Sequence, residues 1–352
     1  MGKKILLKGN DVMAEAAITA GCRFYAGYPI TPQNEVPEYM SRRMPQVGGI
    51  FIQAESELAA INMVFGAAAA GARCMTSSSS PGISLKQEGI SYIAGAEMPC
   101  VIANMVRGGP GLGNIRASQA DYYQSVRGGG HGDYKLIVFA PATLPELYQL
   151  TMNAFDYADH WRNPVLILGD GILAQMVEPV EMLPYKPVVP MPQKDYVLDG
   201  AKGRAARVVK TLYLNPADGL ERHNAHLKAK YAKIAEELQL VEEYKTDDAK
   251  LVIAAYGITG RIAKAAINFA RTKGMKVGLV RPLSVWPFPK KAFLKAAATA
   301  EKFLVIEMSN GQFIDDVELA IRCSKPIEFF GSGGGWYPTP ENIFDKIKEV
   351  YA

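Results

Sequence analysis

The sequence predicts an α/β protein made of two parallel-sheet units joined by a long linker. Short, nearly continuous apolar runs alternate with helical stretches through the first half, the pattern of strands covered on both faces. Between about residues 182 and 246 the texture changes: prolines cluster and charged residues accumulate. After that break the alternation resumes. The expected division is residues 1–181, a first α/β domain; 182–246, a linker carrying a charged helix; and 247–352, a second α/β domain.

Taken in order, Lys4-Ile-Leu-Leu reads as a strand, residues 11–20 as a helix and Arg23-Phe-Tyr-Ala as a second strand. Gly49-Ile-Phe-Ile is a short strand leading into a helix through Glu57. That helix carries Leu58, Ala59, Ile61, Met63, Val64 and Phe65, apolar nearly all round, so it is expected to be buried on most sides. Strand-like runs follow at residues 72–76, 99–106, 135–140 and 164–168. Pro184, Pro187, Pro190 and Pro192 open the linker, and residues 220–241, rich in Lys and Glu, read as a solvated helix. Residues 249–256 open the second unit, followed by a helix over 260–273 and strands over 276–280 and 302–307.

Composition excludes several functions. A net charge of +4 over 352 residues is too small to argue for nucleic acid or an acidic membrane surface. No stretch approaches the roughly 20 apolar residues of a membrane span, and the first residues lack a signal-peptide core. A cytoplasmic protein is expected, with neither a nucleic-acid nor a membrane partner. Cys22, Cys74, Cys100 and Cys323 are too scattered for a zinc or iron–sulfur site, so no metal is expected on this chain.

Three segments carry candidate chemistry. Glu57 opens an apolar helix, where it is a capping acid, the partner of a core Arg, or a functional acid facing a ligand; Glu55 competes with it. Tyr28-Pro-Ile-Thr-Pro32 follows a strand, where open α/β sheets bind ligands; its prolines stiffen either a plain turn or a Thr31 hydroxyl aimed at an anion. Arg107 ends an apolar strand and enters Gly108-Gly-Pro-Gly-Leu-Gly113. Its fork suits a ligand carboxylate or a structural acid. Thr76-Ser-Ser-Ser-Ser-Pro-Gly82 offers hydroxyls and amides ahead of a helix.

Together, Gly27-Tyr-Pro-Ile-Thr-Pro32, the Glu57 helix with Gly66-Ala-Ala-Ala-Ala-Gly71, and Arg107 resemble the pyrimidine-binding domain of the thiamine diphosphate (TPP) dependent 2-oxoacid:ferredoxin oxidoreductases. Arg281-Pro-Leu-Ser-Val-Trp-Pro-Phe-Pro289 and Glu307-Met-Ser-Asn-Gly-Gln312 resemble that family's transketolase C-terminal-like domain, so the likeness spans the chain. It implies that Glu57 hydrogen-bonds the pyrimidine N1′ of TPP, and that Thr31 and Arg107 hold the 2-oxoacid carboxylate. Tyr28, Pro29, Thr76, Ser77 and Ser78 would line the cofactor pocket.

Gly169-Asp-Gly171 begins the motif that holds the TPP diphosphate through magnesium, but Met191-Pro-Gln-Lys-Asp-Tyr stands where an Asn pair is needed. The resemblance therefore implies TPP shared with a diphosphate-binding partner subunit. Mg2+ and iron–sulfur clusters would lie on partner subunits, with an iron–sulfur subunit or ferredoxin taking the electrons and coenzyme A (CoA) accepting the acyl group. Arg107-Gly-Gly-Pro-Gly-Leu-Gly-Asn114 and Gly128-Gly-Gly-His-Gly-Asp-Tyr134 are most similar to the branched-chain enzymes, which act on 3-methyl-2-oxobutanoate; the 2-oxoglutarate enzymes are the alternative. From other classes, a non-catalytic scaffold and a transketolase-type transferase are the rivals.

Overall fold

The computed structural model describes residues 4–215 and 219–351. The chain runs β1 (Lys4–Lys8), α1 (Gly9–Thr19), β2 (Phe24–Gly27), α2 (Glu35–Arg43), β3 (Ile50–Gln53), α3 (Glu57–Ala69), β4 (Cys74–Ser78) and α4 (Ser80–Gly95). Next come β5 (Val101–Val106), α5 (Tyr122–Arg127), β6 (Ile137–Phe139), α6 (Leu144–Trp161), β7 (Val165–Asp170), α7 (Gly171–Gln175) and β8 (Val177–Glu181). The second half holds α8 (Leu220–Glu237), β9 (Val241–Tyr244), β10 (Leu251–Ala254), α9 (Gly257–Thr272), β11 (Val277–Pro282), β12 (Ser284–Trp286), α10 (Lys290–Thr299), β13 (Lys302–Glu307), α11 (Phe313–Ile321), β14 (Ile327–Gly331) and α12 (Pro340–Tyr351).

The first sheet has the order β12-β6-β7-β5-β4-β2-β3 and is parallel except for β12. Its central strands are buried on both faces, which is why β5 and β7 read as unbroken apolar runs. Parallel pairing of β2, β4 and β5 brings their carboxyl ends to one edge of the sheet, with the candidate loops beyond them. The second sheet has the order β14-β13-β10-β11-β9, parallel apart from β9.

Four expectations are corrected. Lys4-Ile-Leu-Leu is a strand, but it pairs antiparallel with β8 in a separate two-stranded ribbon that ties residue 4 to residue 181. The linker ends earlier than residue 246, because β9 already pairs with β11. Ser284–Trp286, read with the second domain, crosses to the edge of the first sheet and pairs with β6. The charged helix α8 is not solvated all round: Leu227, Tyr231 and Ile234 form a buried stripe packed into the first unit's core.

Polar fastenings join these parts. The Arg73 guanidinium binds Asp156 and Asp159 at 2.8 Å each and Tyr185 at 3.0 Å, holding the proline-rich linker against the first unit. Arg281 binds Glu146 of α6 and Glu242 of β9, both at 2.6 Å, clamping one unit to the other.

Candidate functional site

Glu57 is the first residue of α3. Ser56 caps the helix, its hydroxyl accepting from the Ala59 amide at 3.1 Å, so Glu57 is not needed as the cap. Of the two competing acids, Glu55 is exposed and Glu57 is 6 % exposed. No hydrogen bond reaches the Glu57 carboxyl from the described residues, and no Arg lies in ion-pair range. The carboxyl packs on Gly82 in the first turn of α4: a Cβ there would stand 2.5 Å from Glu57 Oε1 and 2.0 Å from Ser78 Oγ. Glycine at 82 is what allows acid and helix to approach.

The helix behind Glu57 departs from expectation. Leu58 is 46 % exposed, and Asn62 and Gly66 are exposed too, so one long face of α3 faces away from the core.

Arg107 lies at the end of β5 and is 7 % exposed. Nη1 donates to the Thr31 carbonyl and Nη2 to the Leu112 carbonyl, both at 2.9 Å, while Nε is buried without a partner. Arg107 has no carboxylate partner among the described residues, which removes the structural-acid reading. Thr31 and Arg107 are therefore in direct contact, though through the Thr31 main chain; the Thr31 hydroxyl has only a long 3.5 Å contact from Asn34. Thr31 lines a cleft of about 660 Å3 with Asn34, Ile115, Arg116, Gln175 and Tyr337.

Arg107 does not line that cleft, and neither does Glu57. It meets Thr31 and Arg107 through the first turn of α4, whose Ser80 hydroxyl accepts from the Arg107 amide at 3.0 Å while Gly82 touches Glu57. The Ser80 amide is held by Asn104 Oδ1 at 3.1 Å, and Asn104 donates to Asp121 at 2.9 Å; neither residue is evident in the sequence pattern. Burial raises the Asp121 carboxyl above its ordinary range, opposed by hydrogen bonding from the Ser80 and Asn104 side chains.

The residues expected to line the pocket divide. Tyr28 and Pro29 are exposed on the loop after β2. Strand alternation puts Thr76 and Ser78 on one face of β4 and Ser77 on the other. Ser77 bonds Tyr25 at 2.7 Å and the Gln33 amide oxygen, which makes it a packing residue and corrects its assignment to the pocket. The hydroxyls of Ser78 and Ser79 are buried without partners.

Sequence reasoning missed Lys86. It is fully buried in α4, one turn after Gly82, and its ammonium donates to Thr76 Oγ1 at 3.1 Å and to the Glu57 carbonyl at 3.3 Å. Burial pushes its pKa down to about 8, with the Glu57 charge opposing. A lysine inside an otherwise apolar helical stripe was the available signal.

Gly169-Asp-Gly171 is a helix start. Asp170 Oδ1 accepts from the Ile172 and Leu173 amides at 2.8 and 3.1 Å, and burial raises its pKa to about 6 against those two bonds. Among the described residues no three His, Cys, Asp or Glu group as metal ligands, and no helix is long and apolar enough to cross a membrane.

The fold and the family models together give the class, the α/β thiamine diphosphate-binding proteins. Residues 15–249 match the family described as "Pyruvate flavodoxin/ferredoxin oxidoreductase, thiamine diP-bdg", and residues 249–343 match "Pyruvate:ferredoxin oxidoreductase core domain II". The chain belongs to this oxidoreductase family, whose members act in a multi-subunit complex.

It is 47% identical over 345 residues to the ketoisovalerate oxidoreductase subunit VorB of Methanothermobacter marburgensis, covering 98% of this chain and 97% of that one. It is 37% identical over 330 residues to the 2-oxoglutarate synthase subunit KorA of Archaeoglobus fulgidus, covering 93% and 94%. Among solved structures, 2-oxoglutarate:ferredoxin oxidoreductase from Magnetococcus marinus, with 2-oxoglutarate, coenzyme A and succinyl-CoA bound, aligns with a TM-score of 0.87 at 26% identity. That alignment takes in all of this chain and 66% of the other. A split-gene transketolase at 12% identity and TM-score 0.61 shares the fold.

Proposed function

We propose that the chain is the pyrimidine-side subunit of a TPP-dependent 2-oxoacid:ferredoxin oxidoreductase. The reaction is 2-oxoacid plus CoA plus oxidised ferredoxin giving acyl-CoA, carbon dioxide, reduced ferredoxin and a proton, with 3-methyl-2-oxobutanoate as substrate. The observation that carries this reading is a pair of buried charges left open. The Arg107 guanidinium has no carboxylate and a free Nε–H, and the Glu57 carboxyl lacks any hydrogen bond from the described residues. A buried charged group with an unmet donor is costly, so Arg107 fits a group supplied from outside the chain, and the Glu57 carboxyl, with no hydrogen bond from the described residues, is open to one. The unpartnered Ser78 hydroxyl, which shares the Gly82 contact with Glu57, fits a polar cofactor edge in the same way.

TPP, when bound, supplies the electron sink for decarboxylation. Glu57 would hold the pyrimidine and share a proton with it at the carboxyl, which requires the shielding from water that its burial gives. Arg107 Nε and the Thr31 hydroxyl would take the 2-oxoacid carboxylate, with Thr31 already fixed by the Arg107 bond to its carbonyl. Tyr28, Pro29, Thr76 and Ser78 would border the cofactor. The diphosphate, its Mg2+ and the iron–sulfur clusters fall to partner subunits in this reading, since Asp170 spends its oxygen on capping α7. The exposed face of α3 suits such a subunit, and the compartment implied is the cytoplasm.

For the substrate, the VorB likeness and the apolar Ile115 and Tyr337 at the Thr31 cleft favour a branched aliphatic side chain. One observation favours 2-oxoglutarate: Arg116 lines the same cleft, and its guanidinium makes no ion pair among the described residues, leaving a cation for a second carboxylate. Reconstituting the complex and measuring ferredoxin reduction with both 2-oxoacids decides. Higher kcat/KM for 3-methyl-2-oxobutanoate is expected; preference for 2-oxoglutarate would transfer the assignment, and TPP-independent reduction would end it. Tight magnesium-dependent TPP binding by this chain alone, measured by calorimetry, would remove the shared-site reading.

A further inference from the structure

Lys86 is a buried cation in no ion pair among the described residues, the Glu57 charge acting on it only from beyond contact distance. It is fully buried, its Nζ bonds two neutral oxygens, and no carboxylate lies within ion-pair distance among the described residues. An ammonium in such a place is expensive, and an apolar side chain of similar length would fill the helix face without that cost. The two oxygens are informative: one belongs to Thr76 on β4, and the other is the main-chain carbonyl of Glu57 itself. Gly82 and Lys86 stand four residues apart on one face of α4, so the same face receives the Glu57 carboxyl at Gly82 and its carbonyl at Lys86.

We infer that Lys86 is a positioning residue for Glu57, pinning the first turn of α3 to β4 and α4 so that the carboxyl keeps its place over Gly82. The inference rests on the reading of Glu57 as the acid that meets TPP. Charged groups around the ammonium agree with it: α3 offers Glu57, β4 offers neutral Thr76, and no other charged side chain acts on it appreciably. Burial lowers its pKa, so the charged form is kept at the expense of stability. A residue placed purely for stability would not behave this way.

The test uses the reconstituted complex with Lys86→Met, alongside Glu57→Gln. Lys86→Met is expected to lower kcat at least tenfold and to leave the 2-oxoacid KM within threefold. Its Tm should be unchanged or higher, and amide hydrogen exchange over residues 57–61 at least threefold faster. A kcat within twofold of the unaltered complex, or unchanged exchange in that turn, overturns the inference. If Lys86→Met fails to assemble, Lys86→Gln, which keeps a donor without the charge, is judged by the same two readouts. Glu57→Gln separates the two levels. Lost turnover there with normal Lys86→Met turnover sinks only the Lys86 inference, whereas normal Glu57→Gln turnover removes the reading beneath and the inference with it.

Discussion

Glu57 and Glu307 are both buried acids next to the start of a helix, one in each unit, yet their surroundings differ completely. Glu307 ends β13, and its carboxylate accepts from Ser309 Oγ at 2.6 Å and from the amides of Gln312, Phe313 and Ile314 at 3.0 to 3.1 Å. Glu57 has no such bond from the described residues. The buried arginines repeat the contrast: Arg281 is saturated by Glu146 and Glu242, whereas Arg107 holds two carbonyls and keeps Nε free. Most buried charge in both units is satisfied within the chain, in the first by Arg73 with Asp156 and Asp159; Glu57 and Arg107 are the exceptions, which the proposed function reads as open to groups from outside. In the proposed reading, satisfaction rather than burial separates structural from functional charge.

Glu57→Gln gives the largest expected effect. It should lower kcat of the complex about 10²- to 10⁴-fold with assembly intact, since the amide keeps the shape and loses the acid. A near-normal rate would break the contrast at its functional end. Arg281→Ala comes next and should act oppositely. It leaves two carboxylates facing a vacated core position, so unfolding stability should fall by about 3 kcal/mol. Denaturant melts check this, and activity per folded complex should hold.

Arg107→Ala should raise the 2-oxoacid KM roughly 10- to 150-fold, the worth of a charge-assisted bond of about 1.5–3 kcal/mol, and leave the CoA KM nearly unchanged. Equal effects on both KM values would show that Arg107 only braces its loop. Thr31→Val sharpens the same point at the smallest scale: loss of one neutral hydroxyl, about 1 kcal/mol, predicts a fivefold rise in that KM.

Much of this was legible in the sequence, and the failures have physical causes. Strands of the first sheet announce themselves because burial on both faces demands continuous apolar runs, and Glu57 stands out as a charge among them. Ser77 misled because a run of four serines conceals the two-residue alternation that turns it toward Tyr25 and Gln33. Ser284–Trp286 and Val241–Tyr244 are antiparallel edge strands, and edge pairing is decided by neighbours distant in the chain rather than by local pattern. Lys86 was missed although it interrupts an apolar helical stripe, because its partners, a main-chain carbonyl and a threonine hydroxyl, leave no mark in composition. The Arg107 contact with the Thr31 carbonyl was unreadable for the same reason, although the pairing of those two loops was anticipated.

The most direct test is a structure of the reconstituted complex with TPP and 3-methyl-2-oxobutanoate bound to a slowly reacting state. The Glu57 carboxyl is expected within hydrogen-bond distance of the TPP pyrimidine, and Arg107 Nε and Thr31 Oγ1 within hydrogen-bond distance of the 2-oxoacid carboxylate. A partner chain should cover the exposed face of α3 and hold the diphosphate. TPP found elsewhere on the complex, or Glu57 capped by a partner's side chain with no cofactor near it, would contradict the account.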